Sequence, residues 1–266
     1  MTAERELINV GDAADVASRR PLVIAHRGGV VGPGTPECSL AAIRLAAEQG
    51  YDMVEFDVQE TADGVPVVFH DSSLETACGL DEAVCRLPVD EVTACQYRAT
   101  DEYVVTLRVA LALCSELRLG VMLDISASKE APGSDGYYSG IADLVETCGL
   151  AQATVTITQN ALARGHLQRS AMLAVSREDR TRIEAGEGAE IGGQFWFAAA
   201  RELQIEHVVR YRDAGALVLP AINIFRYPAH AHRQLAGEEM ASLHEAGVDG
   251  FQIDSVFHDL VPRRRR

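Results

Sequence analysis

From residue 22 to residue 254 the chain alternates short apolar runs of strand length with longer stretches of helical period. Few folds accommodate that rhythm. Candidate strands fall at 22–26, 53–58, 67–70, 121–125, 154–158, 172–175, 216–222 and 250–254. Candidate helices at 39–49, 107–117, 139–148, 162–169, 197–213 and 237–246 separate most of them. Eight strands with intervening helices predict a closed parallel α/β barrel, the (β/α)8 TIM-barrel architecture, rather than an open doubly wound sheet. The length of 266 residues suits one such barrel, and I/V/L/A-rich runs suit its core: the hydrophobic fraction is 47% and the aromatic fraction only 6%. Between the second and third candidate strands, residues 60–65 read as a short turn around Asp63 and Gly64. Residues 71–105 lack a clear period and read as a loop-rich insertion after the third strand. Residues 176–193 read as a second surface excursion, and the basic tail 262–266 as a solvated end. Neither a repeat nor a linker is evident, so the expectation is a single domain over residues 1–266.

The chemistry lies in how the strands end. Alternate strand residues share a face, so Glu55 and Asp57 project together, while Val54, Phe56 and Val58 project to the surrounding helices. His26, His70, Asp124 and Asp254 close other strands. One such residue is ordinarily a cap or a satisfied core polar group, but five strands ending this way at the C-terminal mouth of a barrel describe an active site. Glu55, Asp57 and Asp124 make an oxygen-rich set suited to Mg²⁺ or Ca²⁺, with Mn²⁺ as a third choice, rather than to Zn²⁺. Without a cation, three packed carboxylates repel one another. His26 and His70 are candidates for an acid/base pair, and Arg27 offers a fork of donors to phosphate oxygens. Together they suit phosphoryl transfer.

The ordered segments Ala25-His-Arg-Gly-Gly29, Pro36-Glu-Cys-Ser39, Glu55-Phe-Asp57, Thr61-Ala-Asp-Gly64, His70-Asp71 and Gly247-Val-Asp-Gly250 resemble the signature of the glycerophosphodiester phosphodiesterases. The match is densest over residues 22–71 and returns weakly at Thr106-Leu107, Leu123-Asp-Ile125, Asn223 and the final strand. The resemblance implies a barrel of the phospholipase-C-like phosphodiesterase type, with a divalent metal, that hydrolyses glycerophosphodiesters to an alcohol and glycerol phosphate, a reaction of lipid metabolism. It implies Glu55 and Asp57 as metal ligands, His26 and His70 as the acid/base pair, and Arg27 and Glu37 at the phosphate and metal end of the site. Three departures stand out. Pro36-Glu-Cys-Ser39 replaces the family's Pro-Glu-Asn-Thr, Asp124-Ile-Ser126 replaces its Glu-Ile-Lys, and Pro220-Ala-Ile-Asn223 replaces its Trp-Thr-Val-Asn. Asp124 then stands as a shorter third ligand, Ser126 removes a phosphate-neutralising charge that Lys129 could restore from the loop, and an aromatic wall is lost. Ser126, Lys129 and Asn223 join Arg27 and Glu37 as candidate substrate-binding residues. Kept chemistry on a changed substrate is the expectation.

A formal charge of −15 opposes nucleic-acid binding and stable association with anionic membranes, and favours a small soluble phosphodiester. Residues 1–20 lack the apolar core of a signal peptide, so the expectation is a cytoplasmic chain with six reduced, structurally incidental cysteines. Two other readings use the same scaffold: a lyase or transferase, in which a substrate hydroxyl or an acceptor alcohol replaces water, and a catalytically inactive binding barrel. Gly28-Gly29 reads as a backbone turn beside His26, Trp196 and Phe197 as core, and His230 and His232 as exposed loop residues.

Overall fold

A computed structural model describes residues 6–125 and 133–262. Eight parallel strands close on themselves: Leu22–Ala25, Met53–Glu60, Gly120–Asp124, Thr154–Ile157, Met172–Ala174, Gln194–Trp196, a seventh in two pieces (Leu217–Val218 and Ala221–Ile222), and Gly250–Ile253. The first strand pairs with the last, Leu22 opposite Gly250 and Ala25 opposite Ile253, which completes the ring. The seventh breaks at Pro220, whose missing N–H cannot donate to the ladder, although its carbonyl still accepts from Gln252 N at 3.0 Å. The fold class matches the sequence expectation.

Two of its strands do not. Residues 67–70 are no barrel strand. Pro66–Val68 returns antiparallel along Met53–Glu60, with Val58 opposite Val68, and Val105–Thr106 pairs onto its outer side. The second barrel strand therefore lies directly against Gly120–Asp124. The eighth member is Gln194–Trp196, at the end of the stretch read as surface and core flank, too short for periodicity to register. The insertion accordingly follows the second barrel strand. It is also more than loop, carrying helices Glu75–Cys78 and Val89–Thr93 over a small core of Val67, Phe69, Leu74, Val84, Val92, Tyr97 and Val104. The excursion at 176–193 contains the helix Arg177–Glu184, and the long helix expected over 197–213 is confined to Ile205–Asp213.

Two cores follow from the strand alternation. Val23, Val54, Phe56, Val121 and Leu123 face outward under the helices. Leu22, Ile24, Met53, Met122, Val155 and Phe195 fill the lower barrel interior, where they meet Ile8, Val10 and Val16. These last three belong to the N-terminal segment and its helix Ala13–Arg19, capped by the Asp12 carboxylate on Ala14 N. None of the six cysteines forms a disulfide, and Trp196 is fully buried, as expected of a core residue. No helix among the described residues is long and apolar enough to cross a membrane.

The plug fits because Gly120 has no side chain: a methyl group there would meet Ile8 Cγ2 and Met53 Cγ at 2.8 Å and the Ala153 carbonyl oxygen at 2.9 Å. Gly120→Ala is expected to cost about 1–3 kcal/mol by overpacking. Gly165→Ala, in a helix with open space around it, should be neutral or stabilising by about 0.5–1 kcal/mol. Thermal melts of the two variants check this, and equal Tm values would sink the plug-packing account.

Candidate active site

The interior column of each early strand changes character as it rises. The first runs Leu22, Ile24, His26; the second Met53, Glu55, Asp57; the third Gly120, Met122, Asp124. Apolar residues sit at the plugged end and ionisable ones at the mouth. Strand register puts Asp57 beside Asp124, while the two-residue period puts Glu55 just below Asp57. One oxygen from each of these three carboxylates lies within 4.8 Å of the others.

Glu55 is only 2% exposed. Burial pushes its carboxyl well above the usual range, and the charges of Asp57 and Asp124 add to the rise. Burial likewise pushes Asp57 up to about 6, against the pull of His70 and with the push of Asp124. The Oδ2 oxygen of Asp57 is buried and accepts no hydrogen bond. Three crowded carboxylates, one with an orphaned oxygen, form a donor set that fits a hard divalent cation, which would relieve both the repulsion and the missing partner.

The turn after the first strand shapes the other half of the site. Arg27 takes a left-handed φ of 53°, followed by Gly28 at 78° and Gly29 at 141°. A Cβ at Gly29 would stand 2.2 Å from the Ala42 carbonyl oxygen, so the close approach requires glycine. The result is that Arg27 N donates to Glu55 Oε2 at 2.8 Å and Gly28 N to the Glu55 carbonyl at 2.5 Å. The Arg27 side chain then turns back, donating from NH1 to Glu37 Oε2 at 2.7 Å and from NH2 to His70 Nε2 at 3.1 Å. Burial works against its charge, but Glu37 more than offsets this and holds the guanidinium above its ordinary pKa.

Each histidine has a carboxylate behind it. His26 Nδ1 lies 2.6 Å from Asp254 Oδ1, with Asn223 Nδ2 at 3.1 Å from the same nitrogen. His26 Nε2 points back to the carboxylates, 4.0 Å from Glu55 Oε2. Burial would raise Asp254, but His26 and the Ile224 amide outweigh it and keep the carboxyl below its usual value. His70 Nδ1 lies 2.8 Å from Asp71 Oδ1. The returning arm carries His70 to the mouth, pinned by Phe69 N on the Asp57 carbonyl and by Gln59 Nε2 on the carbonyls of Phe69 and Asp71. A second set of close donors, Glu37, His70 and Asp71, is engaged by Arg27 and internally, and reads as support for the arginine and histidine rather than a separate ion site.

The structure therefore brings together His26, Arg27, Glu37, Glu55, Asp57, His70, Asp124 and Asn223. Ser126 and Lys129 lie outside the described residues. His230 is exposed in the loop, whereas His232 opens the final helix, His232–Ala246, with Nδ1 on the Ala229 carbonyl. Asp71 and Asp254 were visible in the sequence as neighbours and strand ends, but only the fold assigns them a histidine each.

A model of the glycerophosphoryl diester phosphodiesterase family matches residues 26–149, the stretch that holds every one of these side chains except Asn223 and Asp254. Residues 26–149, just under half of the chain, are therefore similar to that family. The human glycerophosphodiester phosphodiesterase 1 is 36% identical over 110 residues, which are 38% of this chain and 33% of that protein. The chain thus spans about a third of the length of the curated relatives it matches first. Likeness in fold extends further. An Oleispira antarctica phosphodiesterase, solved in complex with the product sn-glycerol-3-phosphate, superposes with a TM-score of 0.70 at 22% identity over 92% of this chain and 98% of that one. A Parabacteroides distasonis glycerophosphoryl diester phosphodiesterase does so with a TM-score of 0.69 at 19% identity over 97% and 95%. At these identities the superpositions show the barrel fold alone, and sequence similarity is concentrated where the site lies.

The carboxylate set generates a crossed stability prediction. In metal-free protein Asp57→Asn removes uncompensated buried charge and should leave the protein at least as stable as the unsubstituted chain. Added Mg²⁺ or Ca²⁺ should stabilise the unsubstituted chain by about 2.7 kcal/mol at one hundred times its Kd, and Asp57→Asn much less. Melting curves with and without chelator decide it. Loss of Tm in the metal-free variant, or no metal effect on the parent, would contradict the cation reading.

Proposed function

We propose that this protein hydrolyses a glycerophosphodiester to an alcohol and a phosphomonoester. The observation that carries the reading is the pair of histidines, each backed by its own carboxylate, with Arg27 beside them and three clustered carboxylates, one buried and two half-buried, close by. Its support from relatives is the family match over that region and the product-bound phosphodiesterase that shares the fold.

Glu55, Asp57 and Asp124 would hold a divalent cation. Bound there, it supplies Lewis-acid polarisation of a phosphoryl oxygen and neutralises charge that develops on it. Arg27 provides the fixed positive charge that the chain's −15 makes necessary, and while one donor stays on Glu37 the donor now on His70 can turn to a phosphate oxygen. With Asp254 accepting from Nδ1–H, His26 turns Nε2 toward the reacting group. Asp71 does the same for His70. One imidazole takes the proton of the attacking water and the other delivers a proton to the departing alkoxide. Proton balance is then kept within the site, and the two carboxylates hold the rings in the productive tautomer.

Asn223 packs beside His26 and donates from Nδ2 to Gln252 Oε1 at 3.4 Å, tying the seventh strand to the last. Arg27 carries phosphate-facing charge beside His70.

Phosphorus NMR of metal-replete protein with a panel of glycerophosphodiesters tests the proposal. Phosphomonoester should form with the parent, and His26→Ala and His70→Ala should each lose at least about a hundredfold in rate, as general acid/base residues do. Asp254→Asn should lose less than His26→Ala while leaving metal-dependent Tm intact. Cyclic phosphate as the end product would replace hydrolysis by internal transfer, and no turnover with Mg²⁺, Ca²⁺ or Mn²⁺ would remove the phosphodiesterase assignment.

A further inference from the structure

Beside His26 the mouth opens into a pocket of about 320 Å³ whose inner end is formed by His26, Arg27, Glu37 and Asp254. Its outer walls are carbon. Val31 is 41% exposed, Ile224 40%, Phe225 64% and Val256 41%. Of the eleven large hydrophobic side chains exposed among the described residues, four gather on this one pocket. Scattered singly, such residues need no explanation; gathered at the edge of a polar site they mark a surface that a ligand covers.

Three segments build the wall, and each is fixed. Ile224 and Phe225 belong to the short 3₁₀ turn Ile224–Arg226, anchored by Ile224 N on Asp254 Oδ2 at 2.5 Å. Ser255 Oγ donates to the Val31 carbonyl at 3.3 Å, which joins the first loop to the segment bearing Val256. The wall is therefore registered on the residue that holds His26, and a group lying against it is positioned relative to the reacting phosphate.

The carboxylates at the base are already engaged. Glu37 is paired with Arg27, and both oxygens of Asp254 are used, by His26 and by the Ile224 amide. The Phe225 ring has the Arg226 guanidinium over it, 5.0 Å from the centroid. A quaternary ammonium arm would find no unpaired carboxylate there and a cation already on the Phe225 ring, and a polyol arm would find few partners for its hydroxyls.

We propose that this pocket receives one ester arm of the substrate and that this arm is apolar, an alkyl or aryl alcohol, rather than glycerol, choline or ethanolamine. The inference rests on the phosphodiesterase reading and specifies its substrate class. Phe225, Val31, Ile224 and Val256 are then the specificity-determining residues.

Glycerophosphate esters of ethanol, propanol, butanol and pentanol test it, because their alcohols differ little in acidity and stay below micelle-forming lengths. With the parent protein kcat/KM should climb about fourfold per methylene, the increment of burying one CH₂. Phe225→Ser and Val31→Ser, both at exposed positions, should flatten that slope. A flat series in the parent, with hydrolysis intact, overturns the apolar arm and leaves the phosphodiesterase reading standing. A slope that survives both substitutions also overturns it, since the chain would then bind elsewhere. Calorimetry of ethyl and pentyl phosphate on metal-loaded protein reads the pocket without turnover. If the whole ester series is inert, the function fails, while the affinity ratio still decides the pocket: pentyl phosphate binding no tighter than ethyl phosphate refutes it.

Discussion

The site depends on three carboxylates being held within 4.8 Å of one another, Glu55 buried and Asp57 and Asp124 half-buried. Parallel register forces Asp57 and Asp124 side by side, and strand alternation sets Glu55 beneath them. Left alone, such a cluster takes up protons or opens. The remaining features of the mouth can be understood as answers to that repulsion. The left-handed turn at Arg27 brings a backbone N–H onto Glu55, the Arg27 side chain adds a full positive charge nearby, and both histidines present nitrogens toward the same space. Asp57 Oδ2 still has no partner, a gap that a divalent cation would fit.

The barrel makes this arrangement tolerable by separating two demands. Stability comes from the lower interior and the helical shell, where Leu22, Ile24, Met53 and Phe195 pack against the N-terminal plug and Phe56, Leu123 and Trp196 pack outward. The mouth can then carry destabilising charge without unravelling, because the strands that present it are fixed lower down. Gly120 and Gly29 show the same division: one admits the plug, and the other lets the catalytic turn lie against the helix Leu40–Glu48. Neither position tolerates a methyl group, for different reasons in different halves of the molecule.

Much of this was legible in the sequence, and the parts that were not share a cause. Glu55-Phe-Asp57 announces its facing by alternation alone, and His26, Asp124 and Asp254 announce themselves by ending apolar runs. Period cannot say which strand neighbours which, so Val67–His70 was expected as a barrel strand when it is the return arm of a hairpin. The error leaves His70 at the mouth because Phe69 still bonds to Asp57, but by a different route. Gln194–Trp196 escaped because three residues carry no measurable period. The pairings His26–Asp254, His70–Asp71 and Arg27–Glu37 required the fold, since sequence separation ranges from one residue to more than two hundred.

The departures from the family signature acquire a physical sense together. Replacement of the family tryptophan by Pro220 breaks the seventh strand at a buried position and removes an aromatic side chain from that place. Phe225, five residues on, is the nearest aromatic group on the same connection, and it stands at the rim rather than on the strand. An aromatic surface displaced outward, lined by Val31 and Val256 and backed by an already satisfied Asp254, suits a longer and less polar group than one held close to the strand ends. The three carboxylates sit on early, well-registered strands, while most of the wall sits on connections after the seventh and eighth, where side chains can change without disturbing them. That separation is how a barrel keeps one reaction while its substrate drifts.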